Sequence, residues 1–74
     1  MKVILEIESV DAEKIRKSLE PDAKNDENVK VKFKNTKNKL WIEIQGTKTS
    51  HIKGIINSYL TLIDVINKIG EKNE

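Results

Sequence analysis

The side chains best suited to nucleophilic chemistry are those of His51 and its neighbour Ser50. A histidine activates a serine when a third group orients the imidazole, and no acid lies close to His51 in the sequence. The chain has no cysteine and no second histidine, and its three glycines are isolated, so neither a thiolate metal site nor a Gly-rich phosphate loop is indicated. We expect an exposed histidine at a helix start. We predict no catalytic residue, no metal, no cofactor and no small-molecule substrate, so the chain is not an enzyme.

Attraction of phosphates is a second chemistry that the sequence could support. Between Asn28 and Ile42 there is no Asp or Glu, and the candidate nucleic-acid-binding residues are five lysines there and one further along: Lys30, Lys32, Lys34, Lys37, Lys39 and Lys53. Trp41, on the same face, could stack on a base. Alternatively, the lysines form a solvated face that pairs across strands with Glu6, Glu8 and Glu43 and protects an edge from aggregation. Both interpretations stay open.

Length and composition limit the classes of protein to which the chain can belong. The 74 residues predict one domain, residues 1–74, with a small core. Domains of this size are commonly supported by disulfides, metals or association, and the absence of cysteine favours association. No apolar run reaches the roughly 18 residues of a membrane span. Glu6 interrupts the apolar start, which argues against a signal peptide, so we expect a cytoplasmic protein without a membrane partner.

The first half of the chain predicts a strand and a short helix. Residues 2–8 alternate in polarity, with three apolar side chains on one face: Val3, Leu5 and Ile7. The helix carries a narrow apolar stripe of Ala12, Ile15 and Leu19. Ser9 or Asp11 can cap it, and we expect Pro21 to end it, because the residue before a proline is disfavoured in helical geometry. Residues 21–28 are predicted to be a loop.

A β-hairpin is predicted next. One strand alternates Val29, Val31 and Phe33 with lysines, and its partner alternates Leu40, Ile42 and Ile44 with Trp41, Glu43 and Gln45. Residues 35–39 are predicted to be the turn.

The second helix is the most informative element. Thr49 or Ser50 is the predicted cap and Gly70 the predicted end. Its apolar residues cover about half of the circumference, whereas a helix on a sheet needs a stripe of roughly 100°. The extra width either covers both the sheet and the first helix or meets another chain, and Tyr59 is the predicted anchor for such a partner. The candidate partner-binding residues are Ile52, Ile55, Ile56, Tyr59, Leu60, Leu62, Ile63 and Ile66.

The order β-α-β-β-α predicts an α+β fold. We expect a two-layer sandwich in which a three-stranded antiparallel sheet carries both helices on one face. A parallel pairing of the first two strands across the first helix remains an alternative.

Two segments resemble a known family. Residues 18–22 (SLEPD) are similar to the "S-L-x-P-D" stretch of the smallest, dimerising (Pcc-type, CTAG/LAGE-related) subunit of the KEOPS, or EKC, complex. Residues 50–60 (SHIKGIINSYL) are similar to that family's "S-x-L-R-G-x-x-N-S-Y-L". The separation of the two segments and the element order also fit, so the resemblance covers nearly the whole chain. Lys53 stands where the family often has arginine and lacks the planar fork of a guanidinium.

The resemblance implies a subunit that performs no chemistry. KEOPS installs threonylcarbamoyl on the adenosine next to the anticodon of tRNAs that read codons starting with A. In that family the subunit pairs with itself, docks the catalytic threonylcarbamoyltransferase subunit through its helices, and helps the assembly to hold tRNA. The implied partners are therefore a second copy, the catalytic subunit and tRNA. The alternative is a stand-alone nucleic-acid-binding module that uses the lysine-lined sheet face, although residues 37–39 lack the glycines of a KH-type clamp.

Overall fold

The alternation of apolar and charged residues produces three strands, and two amphipathic segments produce helices. The computed structural model describes the backbone of residues 1–23 and 28–72 and the side chains of residues 1–21, 23 and 28–68. The elements are β1 (Lys2–Glu8), α1 (Ala12–Leu19), a 3₁₀ turn (Glu20–Asp22), β2 (Val29–Asn35), β3 (Lys39–Gly46) and α2 (Thr49–Lys72). The predicted order β-α-β-β-α is confirmed.

The sheet has the order β1-β3-β2, and both outer strands run antiparallel to β3. Leu5 and Phe33 flank Ile42 of the central strand in the two registers. Beyond the end of the ladder, the Ser9 N–H donates to the Asn38 carbonyl at 2.8 Å. The predicted antiparallel sheet is confirmed, and the alternative parallel pairing does not form because β3 separates β1 from β2.

The core lies between one face of the sheet and the two helices. The central strand is the most deeply covered, since Leu40, Ile42 and Ile44 are fully buried. The other buried side chains come from β2 and from both helices: Ala12, Ile15, Leu19, Val29, Val31, Ile52, Tyr59 and Ile63. The apolar face of β1 is covered less completely, because its inward side chains are half-buried: Val3, Leu5 and Ile7. The helices therefore leave part of the sheet's apolar face accessible at the β1 edge.

The end of α1 differs from the prediction in its geometry. The helix ends at Leu19 as Pro21 suggests, but Glu20 keeps helical backbone angles (φ −58°, ψ −41°). The chain then tightens into the 3₁₀ turn, which has Pro21 in its first positions. Proline is tolerated there because its missing N–H has no partner in a first turn. The predicted loop is therefore wrong for residues 21–22, and residues 24–27 lie outside the described residues.

The ends of α2 also differ from the prediction. The Ile52 N–H donates to the Lys48 carbonyl, which places Lys48 rather than Thr49 or Ser50 at the cap. The helix continues through Gly70 to Lys72. A glycine ends a helix by adopting a left-handed conformation, and no described glycine does so. The hairpin turn is tighter than predicted, since residues 35 and 39 belong to the strands.

Gly54 gives a first testable prediction. A Cβ atom at this helix position meets no atom within 4 Å, so alanine fits without a clash. We expect Gly54→Ala to raise the free energy of unfolding by about 0.5–1 kcal/mol in urea, because glycine costs about that much in a helix interior. Gly46→Ala is the matched control, because its Cβ lies 3.0 Å from the Asn28 carbonyl oxygen and forces a shift. A loss of stability in Gly54→Ala contradicts the prediction.

Candidate functional site

The sheet face opposite the helices carries the predicted lysines. Strand alternation directs Lys30, Lys32 and Lys34 of β2 to this outer face, and all three are exposed. In the two registers Lys32 neighbours Glu43, and Lys34 neighbours Trp41. The outer face therefore has a row of three ammonium groups along its β2 edge. Since a strand rises about 3.3 Å per residue, their Cα atoms recur about every 6.6 Å.

Carboxylates neutralise the opposite side of this face. Glu43 lies 3.1 Å from the Lys2 ammonium group, and Lys39 lies 3.9 Å from both Glu6 and Glu8. The predicted cross-strand pairing is thus found for Lys39. Among the described residues, the three β2 lysines form no ion pair, so the alternative in which glutamates on neighbouring strands pair with them is not found there. The positive charge of the outer face is concentrated on β2.

Trp41 lies next to this row and is held in place by a carboxylate. Its indole Nε1–H donates a 2.9 Å hydrogen bond to Oε1 of Glu6 on β1. The half-buried ring borders an open depression with Ile4, Lys32, Lys34 and Glu43. Ile4 is 58% exposed and adds apolar surface beside the ring. This arrangement combines an oriented aromatic surface with nearby cations, as in sites that stack bases and attract phosphates.

The other two predicted lysines lie elsewhere. Lys37 is exposed in the hairpin turn, at the end of the sheet. Lys53 is exposed on α2, and the helices cover the sheet face opposite the outer one. The structure therefore does not bring Lys53 together with the β2 lysines.

The residues predicted to bind a partner on α2 divide into three groups by exposure. Ile52, Tyr59 and Ile63 are buried in the chain's own core, and the ring centroids of Tyr59 and Phe33 are 5.9 Å apart. Tyr59, the predicted anchor for a partner, is therefore covered by the chain's own core. A second group is half-buried: Ile55, Ile56 and Ile66. Leu60 and Leu62 are 47% and 41% exposed.

Exposed apolar area lies on both sides of the buried stripe of α2. At 100° per residue, Ile55, Leu62, Val65 and Ile66 fall on one side, which we call the Leu62 flank. Leu60 falls on the other side with Ile56. Val65 is 47% exposed and is not in the predicted partner-binding set. Its position beside Leu62 on the helical wheel is the sequence feature that identifies it as a member of this flank. A helix side chain left exposed in this way is available to another chain.

The remaining polar groups form no further site in the part of the chain that the structure describes. His51 is exposed at the helix start, as predicted. Within that part no three His, Asp or Glu side chains gather as metal ligands would. None of its helices has the combination of length and apolar composition that a bilayer-spanning segment needs.

Comparison with known proteins gives one match. A family model described as "Transcription factor Pcc1" matches residues 2–71 of the chain. Neither a curated protein nor a solved structure gives a significant match. The matched region contains the three described strands, the outer face of the sheet and the Leu62 flank of α2.

Proposed function

The chain belongs to the Pcc1 family, a family of small KEOPS-associated proteins, and from this we propose that it is a dimerisation and scaffold subunit of a KEOPS complex. In this role it docks the catalytic threonylcarbamoyltransferase subunit and helps the assembly to hold tRNA during threonylcarbamoyladenosine synthesis. It performs no chemistry itself and works in the cytoplasm.

The observation that carries the proposal is the exposed Leu62 flank. A 74-residue chain gains stability by burying apolar area, yet Leu62 and Val65 remain 41% and 47% exposed on one side of α2. Exposed apolar strips of this kind commonly mark protein–protein interfaces. A partner that supplies a helix can pack along α2, since side chains four and seven residues apart lie on one side. We assign this flank to the catalytic subunit.

The half-covered edge of the sheet supports self-pairing. Val3, Leu5 and Ile7 point to the apolar side of β1 but remain only half-buried. The three exposed lysines of β2 would repel the same strand of a second copy, whereas the exposed charges of β1 (Lys2, Glu6 and Glu8) are of both signs. The β1 side is thus the better surface for a second copy.

We expect light scattering of the purified chain at tens of micromolar to give twice the monomer mass of 8.5 kDa. A second copy would cover the accessible apolar face at β1 and add the buried area that a small domain needs. The mass should fall towards the monomer on dilution if the pairing is reversible. A monomer mass throughout this range contradicts the proposed homodimer.

Co-purification from native cells tests the proposal as a whole. We expect mass spectrometry to identify the catalytic threonylcarbamoyltransferase subunit with the purified chain, in an assembly that also retains tRNA. Recovery of the chain with nucleic acid alone favours the second candidate function, a stand-alone nucleic-acid-binding module. That candidate is supported by the β2 lysines, for which the described residues provide no carboxylate partner.

A further inference from the structure

We propose that the outer sheet face binds a single-stranded segment of RNA, with one unpaired base stacked against Trp41 and the adjoining phosphates held by Lys30, Lys32 and Lys34. The inference deepens the proposed role in holding tRNA and rests on it only for the identity of the RNA. We call this surface the Trp41 face; it consists of Ile4, Lys30, Lys32, Lys34, Trp41 and Glu43.

Charge complementarity selects a polyanion. Lys30, Lys32 and Lys34 have no ion-pair partner among the described residues, whereas Lys39 and Lys2 are held by carboxylates. The free ammonium groups lie in one line along β2, which suits a chain of phosphates better than a single anion. A protein that neutralises phosphates releases their counterions, so this contact should weaken steeply as salt rises.

The environment of Trp41 selects an unpaired base over a duplex. Its indole N–H is already used by Glu6, so the hydrogen bond fixes the ring and leaves stacking as its remaining mode of contact. The depression beside the ring is bordered by the exposed side chain of Ile4, which adds apolar surface for a flat ligand. In a duplex the base faces are covered by their neighbours, and only a single strand can offer one to an aromatic side chain.

The test uses the intrinsic fluorescence of the full chain, in which Trp41 is the single tryptophan. We expect an unstructured RNA of about ten nucleotides to quench this fluorescence on binding, because a base stacks on the indole ring. This length lies within the roughly 4–16 nucleotides that known single-strand-binding domains cover. The log of the association constant should fall with log salt with a slope of about −2 for three phosphate contacts on a single strand. The same RNA annealed to its complement, an abasic oligonucleotide and polyglutamate should each quench much less.

Two sets of variants separate stacking from charge. Trp41→Leu should weaken RNA binding about fivefold to a hundredfold, measured by anisotropy of a labelled RNA, and Trp41→Phe should restore much of it. The triple variant K30E/K32E/K34E should remove both the binding and the salt slope. The matched control K14E/K17E/K68E makes the same charge change at three exposed lysines of the helices and should keep the quenching.

Three results overturn the inference. These are the absence of quenching at low salt, equal quenching by the duplex or by polyglutamate, and equal loss of binding in the control triple variant. Failure here is distinguishable from failure of the proposed function, because co-purification with the catalytic subunit depends on the helices. If the chain co-purifies with that subunit but shows no quenching, the proposed scaffold role stands and the proposed RNA site is rejected.

Discussion

Replacing Tyr59 with alanine is expected to remove most of the stability of the isolated chain. The side chain is 5% exposed and packs against Phe33 with a tilted ring contact. Truncating a buried aromatic side chain costs about 3–5 kcal/mol, because the buried apolar area is lost and a cavity is left in the core. At about 0.05–0.15 kcal/mol per residue, a chain of 74 residues has only roughly 4–11 kcal/mol in total. Urea unfolding followed by circular dichroism measures the loss.

Leu60→Ala is the matched control for this prediction. Leu60 is the next residue on α2 but is 47% exposed, so its truncation should cost well under 1 kcal/mol. Tyr59→Phe keeps the ring in the core and should retain most of the stability. A Tyr59→Ala chain that unfolds at the urea concentration of the unsubstituted chain would show that Tyr59 is not part of the core.

The contrast between Tyr59 and Leu62 shows what periodicity can and cannot predict. The apolar residues of α2 cover about half of its circumference, and the helical wheel places Tyr59 and Leu62 within the same arc. Which of them the sheet covers depends on the rotation of α2 about its own axis. That rotation is set by the packing of α2 against β3 and α1, which the sequence pattern of α2 does not contain.

Strands were more predictable than helix ends. The period-2 alternation in residues 2–8 determines both the strand and its buried face, and the structure gives β1 the same bounds. Helix ends depend on local backbone angles, which tertiary context can override. Glu20 keeps helical angles and Gly70 lies inside α2, although the residue before a proline and a glycine are both common helix ends.

The outer face was predictable in part for the same reason. Alternation alone puts the β2 lysines and Trp41 on one side of the hairpin. The charge balance of that face depends on the register of β1 against β3, which pairs Glu6 with Trp41 and Glu8 with Lys39. These strands are far apart in the sequence, so the local pattern could not predict the bond from Trp41 to Glu6, nor which of the lysines the glutamates of β1 would neutralise.

Replacing Leu62 with aspartate is expected to weaken binding of the proposed partner, the catalytic subunit, by at least about 2 kcal/mol, or roughly thirtyfold, while the chain stays folded. Leu62 is 41% exposed at the middle of the Leu62 flank, so the substitution should change the stability of the monomer little. At an interface with a partner helix, the new carboxylate would be buried without a partner, and desolvating an unpaired charge is costly. Calorimetric titration of the purified partner into the variant measures the change.

Asn57→Asp is the matched control, since it adds the same charge at an exposed position on the polar side of α2. Its affinity for the partner should stay close to that of the unsubstituted chain. Leu60→Asp then distinguishes the two sides of the buried stripe, because it places the charge next to Ile56 instead of Val65. If Leu60→Asp abolishes docking while Leu62→Asp leaves it unchanged, the partner packs on the Leu60 side and our assignment of the Leu62 flank is wrong. If neither changes the affinity, α2 does not provide the docking surface, and the half-buried apolar face at the β1 edge becomes the next surface to test.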